Sequence, residues 1–327
     1  MNFEEKKQYI GHISQLFSVK EYKLCGGKAE GVKAADISNG GNLDITVLPD
    51  RCMDFFQIRF KGKNLNYITP AGIVAPQYYD SYEFNWLSSF AAGFLTTCGL
   101  DNIGVPKEGF GLHGKISNTP AENVYIGCEI VAGVPQAILK GTMRQARLFG
   151  ENLTLTREIR CNYGEDIIYF TDTVTNHSFK EVPYKLLYHF NMGYPLLDEN
   201  SIINIPSKSF TARDENAQKH INEWNKVTSP ADGFQEMCYF HNIVPNENGR
   251  AEVGIFNPAE NIGVKIDFDA VLLDNFVQWK MLGKCEYVTG LEPANCELDI
   301  MPEGSKDTKK YLKPQESVEL KFKLTFY

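Results

Sequence analysis

From Val318 to Phe326 the chain alternates without a break: Val318, Leu320, Phe322, Leu324 and Phe326 are apolar, and Glu319, Lys321, Lys323 and Thr325 stand between them. In an extended chain successive side chains point to opposite faces, so a period of two describes a strand with one buried and one solvated side. The same pattern runs through Ile262, Val264, Ile266 and Phe268, and through Leu153, Leu155 and Ile159. Further strands are expected at 43–48, 53–60, 166–175, 182–191, 252–256 and 286–292. Turn sequences separate them at Asn39-Gly40-Gly41-Asn42, Lys61-Gly62-Lys63 and Asn248-Gly249. Helical spacing is convincing only over 3–18, where Phe3, Tyr9, Ile10, Ile13 and Phe17 recur. Many strands and hardly any helices argue against strand–helix–strand units and a parallel sheet. They predict an all-β fold, a large antiparallel sandwich with a short N-terminal helix. The chain has 327 residues, 43% of them hydrophobic, with no Pro/Ser-rich linker and no repeat of fixed period. A single domain over 1–327 is therefore expected, with 1–34 as helix and lead-in.

The formal charge of −8 is spread along the chain, with no basic run or tail. Neutralising a phosphate backbone takes a cluster of Lys and Arg, so nucleic acid is not an expected partner. No window approaches the ~20 apolar residues of a spanning helix, and the N-terminus lacks an apolar stretch of signal-peptide length. No membrane partner and a cytoplasmic location are expected. The eight cysteines are scattered, without CxxC pairs or zinc-like spacing. They read as reduced, partly buried small hydrophobes.

Three segments carry groups that can do chemistry. In 182–191 the side chains of Tyr184, Leu186, Tyr188 and Phe190 face one way, and those of Lys185, Leu187, His189 and Asn191 the other. His189 and Asn191 thus share a face near the strand end at Gly193-Tyr194-Pro195, and histidine titrates near the working pH of an acid–base catalyst. A core histidine bonded to a carbonyl is the competing reading. In 279–295, Glu286, Val288, Gly290 and Glu292 share one face of a strand that Pro293 is expected to end. Gly290 leaves space beside the Glu292 carboxylate, although a strand-end surface glutamate fits the same pattern. The third segment, 109–122, holds His113 among turn residues and has no phosphate-loop glycine pattern. Arg51, at a turn between two strands, has a planar fork suited to paired hydroxyls, or is a surface arginine. Trp86, Tyr188, Phe190 and Trp279 offer aromatic faces to a pyranose or fill the core.

Together these segments resemble the aldose 1-epimerase (galactose mutarotase-like) superfamily, and within it an uncharacterised family described only as a domain of unknown function. The resemblance runs from about residue 35 to the C-terminus. It rests on LPDRCMDF, FAAGFLTTCGLDNIG, GLHGKISNTPAEN, LLYHFNMGYPLLD and QWKMLG…EYVTGLEPAN, in that order. It implies a β-supersandwich with a sugar in a cleft on one face. His189 is then the general acid, Glu292 the general base and His113 a sugar contact. The implied reaction interconverts anomers. The base takes the proton of the anomeric hydroxyl, the acid protonates the ring oxygen, and the opened aldehyde turns about its bond to C2 before closing from the other face. Acid and base exchange roles on closure, which favours pKa values near neutrality for both. The chemistry requires no cofactor and no metal.

The chain departs from the family pattern in several places. His189 and Asn191 are two positions apart instead of four, an even number that keeps both on one face. His-Gly-Gly becomes His113-Gly114-Lys115, and the usual preceding Asn-Arg pair has no counterpart in 90–104. Arg51 is the expected replacement for that arginine. Glu236 and His241 are expected to stand in for the sugar-gripping aspartate. Asn191, Trp279 and Asn295 complete the expected binding set. No Arg/Lys cluster accompanies these motifs, so a neutral monosaccharide is the expected partner of an aldose 1-epimerase-like isomerase. The alternative is a carbohydrate-binding or sensing protein without turnover. A sugar lyase or hydrolase is a third reading, weakened by the lack of a second catalytic carboxylate.

Overall fold

The computed structural model describes residues 1–107, 109–298 and 310–327. Strands Ser18–Lys23, Lys33–Ser38, Leu43–Leu48, Asp54–Phe60 and Lys63–Asn64 pair in sequence order as an antiparallel sheet. A second, eight-stranded sheet has the order Ile202–Asn204, Arg250–Asn257, Ile262–Asp269, Ser317–Phe326, Ile167–Asn176, Asn152–Asn162, Val134–Ala146 and Ala121–Val131. The third runs Ser207–Ala212, Met237–Ile243, Asn275–Gly283, Glu286–Ala294, Val182–Met192 and Lys310–Leu312, with Leu95–Leu100 also paired to Val182–Met192. The fold is all-β and antiparallel.

The alternating segments behave as their period requires. Ser317–Phe326 lies between Ile262–Asp269 and Ile167–Asn176. Its Leu320, Phe322, Leu324 and Phe326 are buried, while Glu319 and Lys321 are exposed. Tyr67–Ile68 and Ala92–Gly93 form a further two-stranded sheet, and one core receives side chains from the three larger sheets, among them Ile45 and Phe55, Phe170 and Phe322, and Tyr188 and Leu291. The Phe322 ring stacks on Phe170, and its centroid lies 4.5 Å from that of Tyr188. The third sheet is also covered on its other face, where Leu187, Val277 and Ala294 pack against Trp86, Phe90, Ile103 and Leu112. That double cover explains why every residue of Val182–Met192 except Pro183 is buried.

A buried ionic network joins the three sheets. The fully buried Arg157 guanidinium donates to both carboxylate oxygens of Asp172 (2.7 and 2.6 Å), to Asp54 Oδ1 (2.6 Å) and to Thr97 Oγ1 (2.9 Å). Thr97 donates its N–H and hydroxyl to Asp54, and Tyr188 Oη donates to Asp172. Asp54 belongs to the first sheet, Arg157 and Asp172 to the second, and Thr97 and Tyr188 to the third.

Three local expectations change. The helix expected over 3–18 is one α-turn, Phe3–Lys7, then a 3-10 turn at Ile13–Gln15 and a strand from Ser18. Its apolar residues do not share a buried face, since Phe3 and Phe17 are buried while Tyr9 is exposed. His12 also begins a second capped turn just beyond Gly11. Pro293 does not end its strand, which continues to Ala294. The proline falls where pairing with Val182–Met192 lapses between Leu187↔Ala294 and Phe190↔Leu291, so no donor is called for there. The strand expected at 286–292 gains a partner, Asn275–Gly283, in which Val277, Trp279 and Met281 alternate with Gln278 and Lys280; Gln278 Nε2 donates to the Trp224 carbonyl and Lys280 Nζ to that of Glu223. Among the described residues, no helix is long and apolar enough to cross a membrane.

The network makes a stability prediction. Arg157→Ala strands two buried carboxylates without their cation, and removing one partner of a buried pair costs about 3–5 kcal/mol. Urea unfolding should register a loss of that size. A loss below about 1 kcal/mol would show that the sheets do not depend on the network.

Candidate functional site

Strand register lays out the floor of the site. Phe190↔Leu291 and Leu187↔Ala294 set His189 opposite Glu292, and Val277 lies opposite Glu292 on the next strand. Two residues along, about 7 Å away, the row is Asn191, Gly290, Trp279 and Cys238. The row after that holds Val288 and Met281. These positions have one parity and so share the face of the third sheet turned away from the main core. Trp86 and Phe90, stacked at 4.5 Å, and His113 form the roof. Between floor and roof is a cavity of about 490 Å³.

His189 Nε2 stands 3.3 Å from Glu292 Oε1, with both side chains almost wholly buried. Among the described residues, His189 Nδ1 and Glu292 Oε1 have no hydrogen-bond partner. The His189 ring is boxed edge-on by Trp279, Phe90 and His113, at 5.4, 5.6 and 5.7 Å between centroids. Burial in this apolar box, with His113 beside it, lowers the His189 pKa to about 3. Burial also drives the Glu292 carboxyl well above its ordinary value; the Glu236 charge adds to this and Arg213 opposes it. Both shifts favour the neutral forms, with the shared proton on Glu292. Gly290 makes that geometry feasible. A Cβ there would collide with Glu292 Oε1, so the carboxyl lies folded back over the glycine.

His113 sits at a left-handed turn (φ 56°) followed by Gly114 (φ 73°), where a Cβ would strike the backbone oxygens of Gly99 and Asn102. Its Nδ1 is 2.8 Å from the Ile103 carbonyl, an acceptor only, so Nδ1 carries the hydrogen and Nε2 is left as an acceptor. Burial lowers its pKa to about 4, which keeps the ring neutral. At the side of the cavity Trp279 Nε1 donates to Glu236 Oε2 (3.0 Å), and Arg213 pairs with Glu236 Oε1 and with Asp214 Oδ2 (both 2.9 Å). Arg213 was not foreseen. It follows Ser207–Ala212, a strand whose sequence has no apolar alternation to reveal it.

Of the residues expected from sequence, His189, Glu292, His113, Trp279 and Glu236 line this one cavity, and so does Trp86. Four others do structural work instead. Arg51 is buried, and its Nε, Nη1 and Nη2 donate to the carbonyls of Ser117, Val74 and Ser89 (2.9, 2.6 and 2.8 Å). Asn295 exchanges side-chain bonds with the backbone of Leu186 and Tyr184. His241 lies on the opposite parity from Cys238, between Ser207 Oγ (2.7 Å) and Gln278 Oε1 (3.3 Å). Asn191 shares the Gly290 row but does not line the cavity, and its Nδ2 donates to the His189 carbonyl (2.8 Å). Tyr188 and Phe190 belong to the core. Among the described residues, no group of three or more His, Cys, Asp or Glu side chains is placed to hold a metal.

No curated protein matches the sequence. Among solved structures, a Klebsiella pneumoniae protein provisionally named an aldose 1-epimerase superposes with a TM-score of 0.90 at 27% identity, over 96% of this chain and 86% of that one. A galactose mutarotase-like protein from Clostridium acetobutylicum matches with a TM-score of 0.69 at 16% identity, over 96% and 99%. A galactose 1-epimerase from Lactobacillus acidophilus matches with a TM-score of 0.61 at 10% identity, over 95% and 99%. The sequence pattern of one family covers residues 29–326, nearly the whole of the three-sheet structure. The chain belongs to that family, described as a domain of unknown function (DUF4432), and has the galactose mutarotase-like fold.

Proposed function

We propose that the chain is an aldose 1-epimerase-like isomerase that interconverts the anomers of a free, neutral monosaccharide in the cytoplasm. The observation that carries this reading is the 3.3 Å approach of His189 Nε2 to Glu292 Oε1 on the floor of an aromatic-walled cavity. Ring opening needs one group to protonate the ring oxygen and another to take the proton of the anomeric hydroxyl, and closure reverses both. A pair that holds one proton does both. The two shifts favour that proton on Glu292, so Glu292 donates first and His189 accepts. The roles exchange on closure, and the order expected from the family, with the proton starting on His189, has the same proton count. His113 Nε2 offers an acceptor to a sugar hydroxyl. The neutral-sugar assignment follows from charge: among the described residues Arg213 is the cation lining the cavity, and it is bound to two carboxylates.

NMR exchange between α and β anomers, across a panel of aldoses, tests the reaction. Wild type should accelerate exchange of at least one sugar, and Glu292→Gln and His189→Asn should each slow it by about 100-fold or more. Binding of a sugar with exchange at the uncatalysed rate would instead establish a sensor. The pH dependence follows from the two shifts. Neutral His189 persists above a pKa of about 3, and protonated Glu292 persists below its raised pKa. The rate constant kcat/KM should thus show no acid limb at the ordinary histidine value and fall only as pH rises through the raised pKa of Glu292. An acid limb near pH 6.5, the ordinary histidine value, would overturn this assignment. Gly290→Ala should displace the Glu292 carboxyl and lower kcat roughly 100-fold while the urea midpoint stays close to wild type. Undiminished turnover in that variant would mean the carboxyl does not act from its position over Gly290.

A further inference from the structure

The cavity floor is chemically divided. Because Glu292 folds its carboxyl over Gly290, the reacting groups stand over the Gly290–Trp279 row. One row further, about 7 Å along the strands, the floor is Val288 and Met281. The lining also includes Phe84 and Leu87, which are 55% and 53% exposed, so large apolar side chains face solvent at this site. Of the polar side chains of the lining, Tyr67, Thr69 and Glu236 are already engaged, and Glu286, one row beyond Val288, is exposed. Tyr67 Oη donates to the Cys285 carbonyl (2.8 Å) and Thr69 Oγ1 to that of Phe90. The two Glu236 oxygens accept from Trp279 and Arg213, and Glu286 is exposed.

Resting on the reading of the site as one for a free monosaccharide, we propose that its preferred substrate is a 6-deoxyhexose, which carries a methyl group where ordinary hexoses carry a hydroxymethyl. With the anomeric centre against His189 and Glu292, a pyranose extends its remote end toward Val288 and Met281. A hydroxymethyl buried there gives up its hydrogen bonds to water without replacement, whereas a methyl gains by leaving water. Among the described residues, the buried polar groups left free in the lining, His189 and Glu292 with His113 Nε2, gather at the reacting end, while Glu286 stands beyond Val288 exposed to water.

Matched pairs test this directly: L-fucose with L-galactose, D-fucose with D-galactose, L-rhamnose with L-mannose, and 6-deoxy-D-glucose with D-glucose. Each pair is measured for anomeric exchange by NMR and for binding by calorimetric titration. At least one 6-deoxy sugar should exceed its parent by about tenfold or more in kcat/KM and in affinity. Val288→Thr combined with Met281→Gln should bring that ratio close to one. The inference is overturned if no pair favours the 6-deoxy member by more than about twofold, or if the double variant leaves the preference intact. A binding preference without catalysed exchange would remove the isomerase reading and leave this one standing. Exchange without preference would remove this one alone, and failure of every sugar to bind would remove both.

Discussion

The Arg157 guanidinium is the point at which the three sheets are referred to one another. Its partners come from each of them: Asp54, Asp172 and Thr97, with Tyr188 bound to the same Asp172 carboxylate. Tyr188 directly precedes His189 on a strand that is buried on both faces. Tying the Tyr188 hydroxyl down into the network obliges the next side chain to point up into the cavity. A slip of one residue would exchange the two faces, placing an imidazole against the ionic network and a phenol in the site. Thr97 secures the neighbouring strand in the same way, and Thr96 then lies opposite His189 on the cavity side. The network therefore does more than join layers. It sets the register from which the site is built.

The two buried carboxyl environments show how partners decide charge. Asp54 loses solvation as completely as Glu292 does, yet its pKa rises only to about 6, because Arg157 and Thr97 oppose the burial. Glu292 faces an imidazole, and its Oε1 has no donor among the described residues, so burial dominates and raises its pKa well above the ordinary carboxylate value. The result is an ionic interior beneath the sheet and a neutral pair above it, separated by one strand thickness. Retaining ionised groups inside a fold takes dense hydrogen bonding. Keeping a proton available for transfer takes the opposite, a polar atom left without a partner.

Strand parity was sufficient to group the polar residues of two segments correctly. His189 and Glu292 were each placed on the right face of their strands, and the row structure of the floor follows from those alternations. Parity failed where the strand itself went unrecognised. Met237–Ile243 carries Cys238 toward the cavity, so His241 points the other way, a deduction that needs the strand before the face can be read. Asn295 lies just past the strand end at Ala294 and on the opposite parity from Glu292, and its amide substitutes for ladder bonds to Leu186 and Tyr184. Arg213 was invisible for a related reason. The strand before it is polar throughout except at Phe210 and Ala212, and the value of the arginine lies in pairing with Glu236, more than twenty residues away.

Arg51 shows how a motif residue can belong to a site without touching it. The carbonyls it binds, from Val74, Ser89 and Ser117, lie in three separate segments that converge on the roof. Ser89 ends the 3-10 turn Glu83–Ser89 that carries Trp86, and Trp86 Nε1 donates to the hydroxyl of the same Ser117 whose carbonyl Arg51 holds. Among the described residues no carboxylate bonds directly to this guanidinium, and burial lowers its pKa to about 10. The cation is instead shared among three divergent acceptors, a demand that a planar fork meets and a single ammonium does not. The roof above His189 is thus hung from a buried arginine, as the floor beneath it is set by another. The cavity keeps its shape because both of its walls are anchored to charges that the ligand never meets.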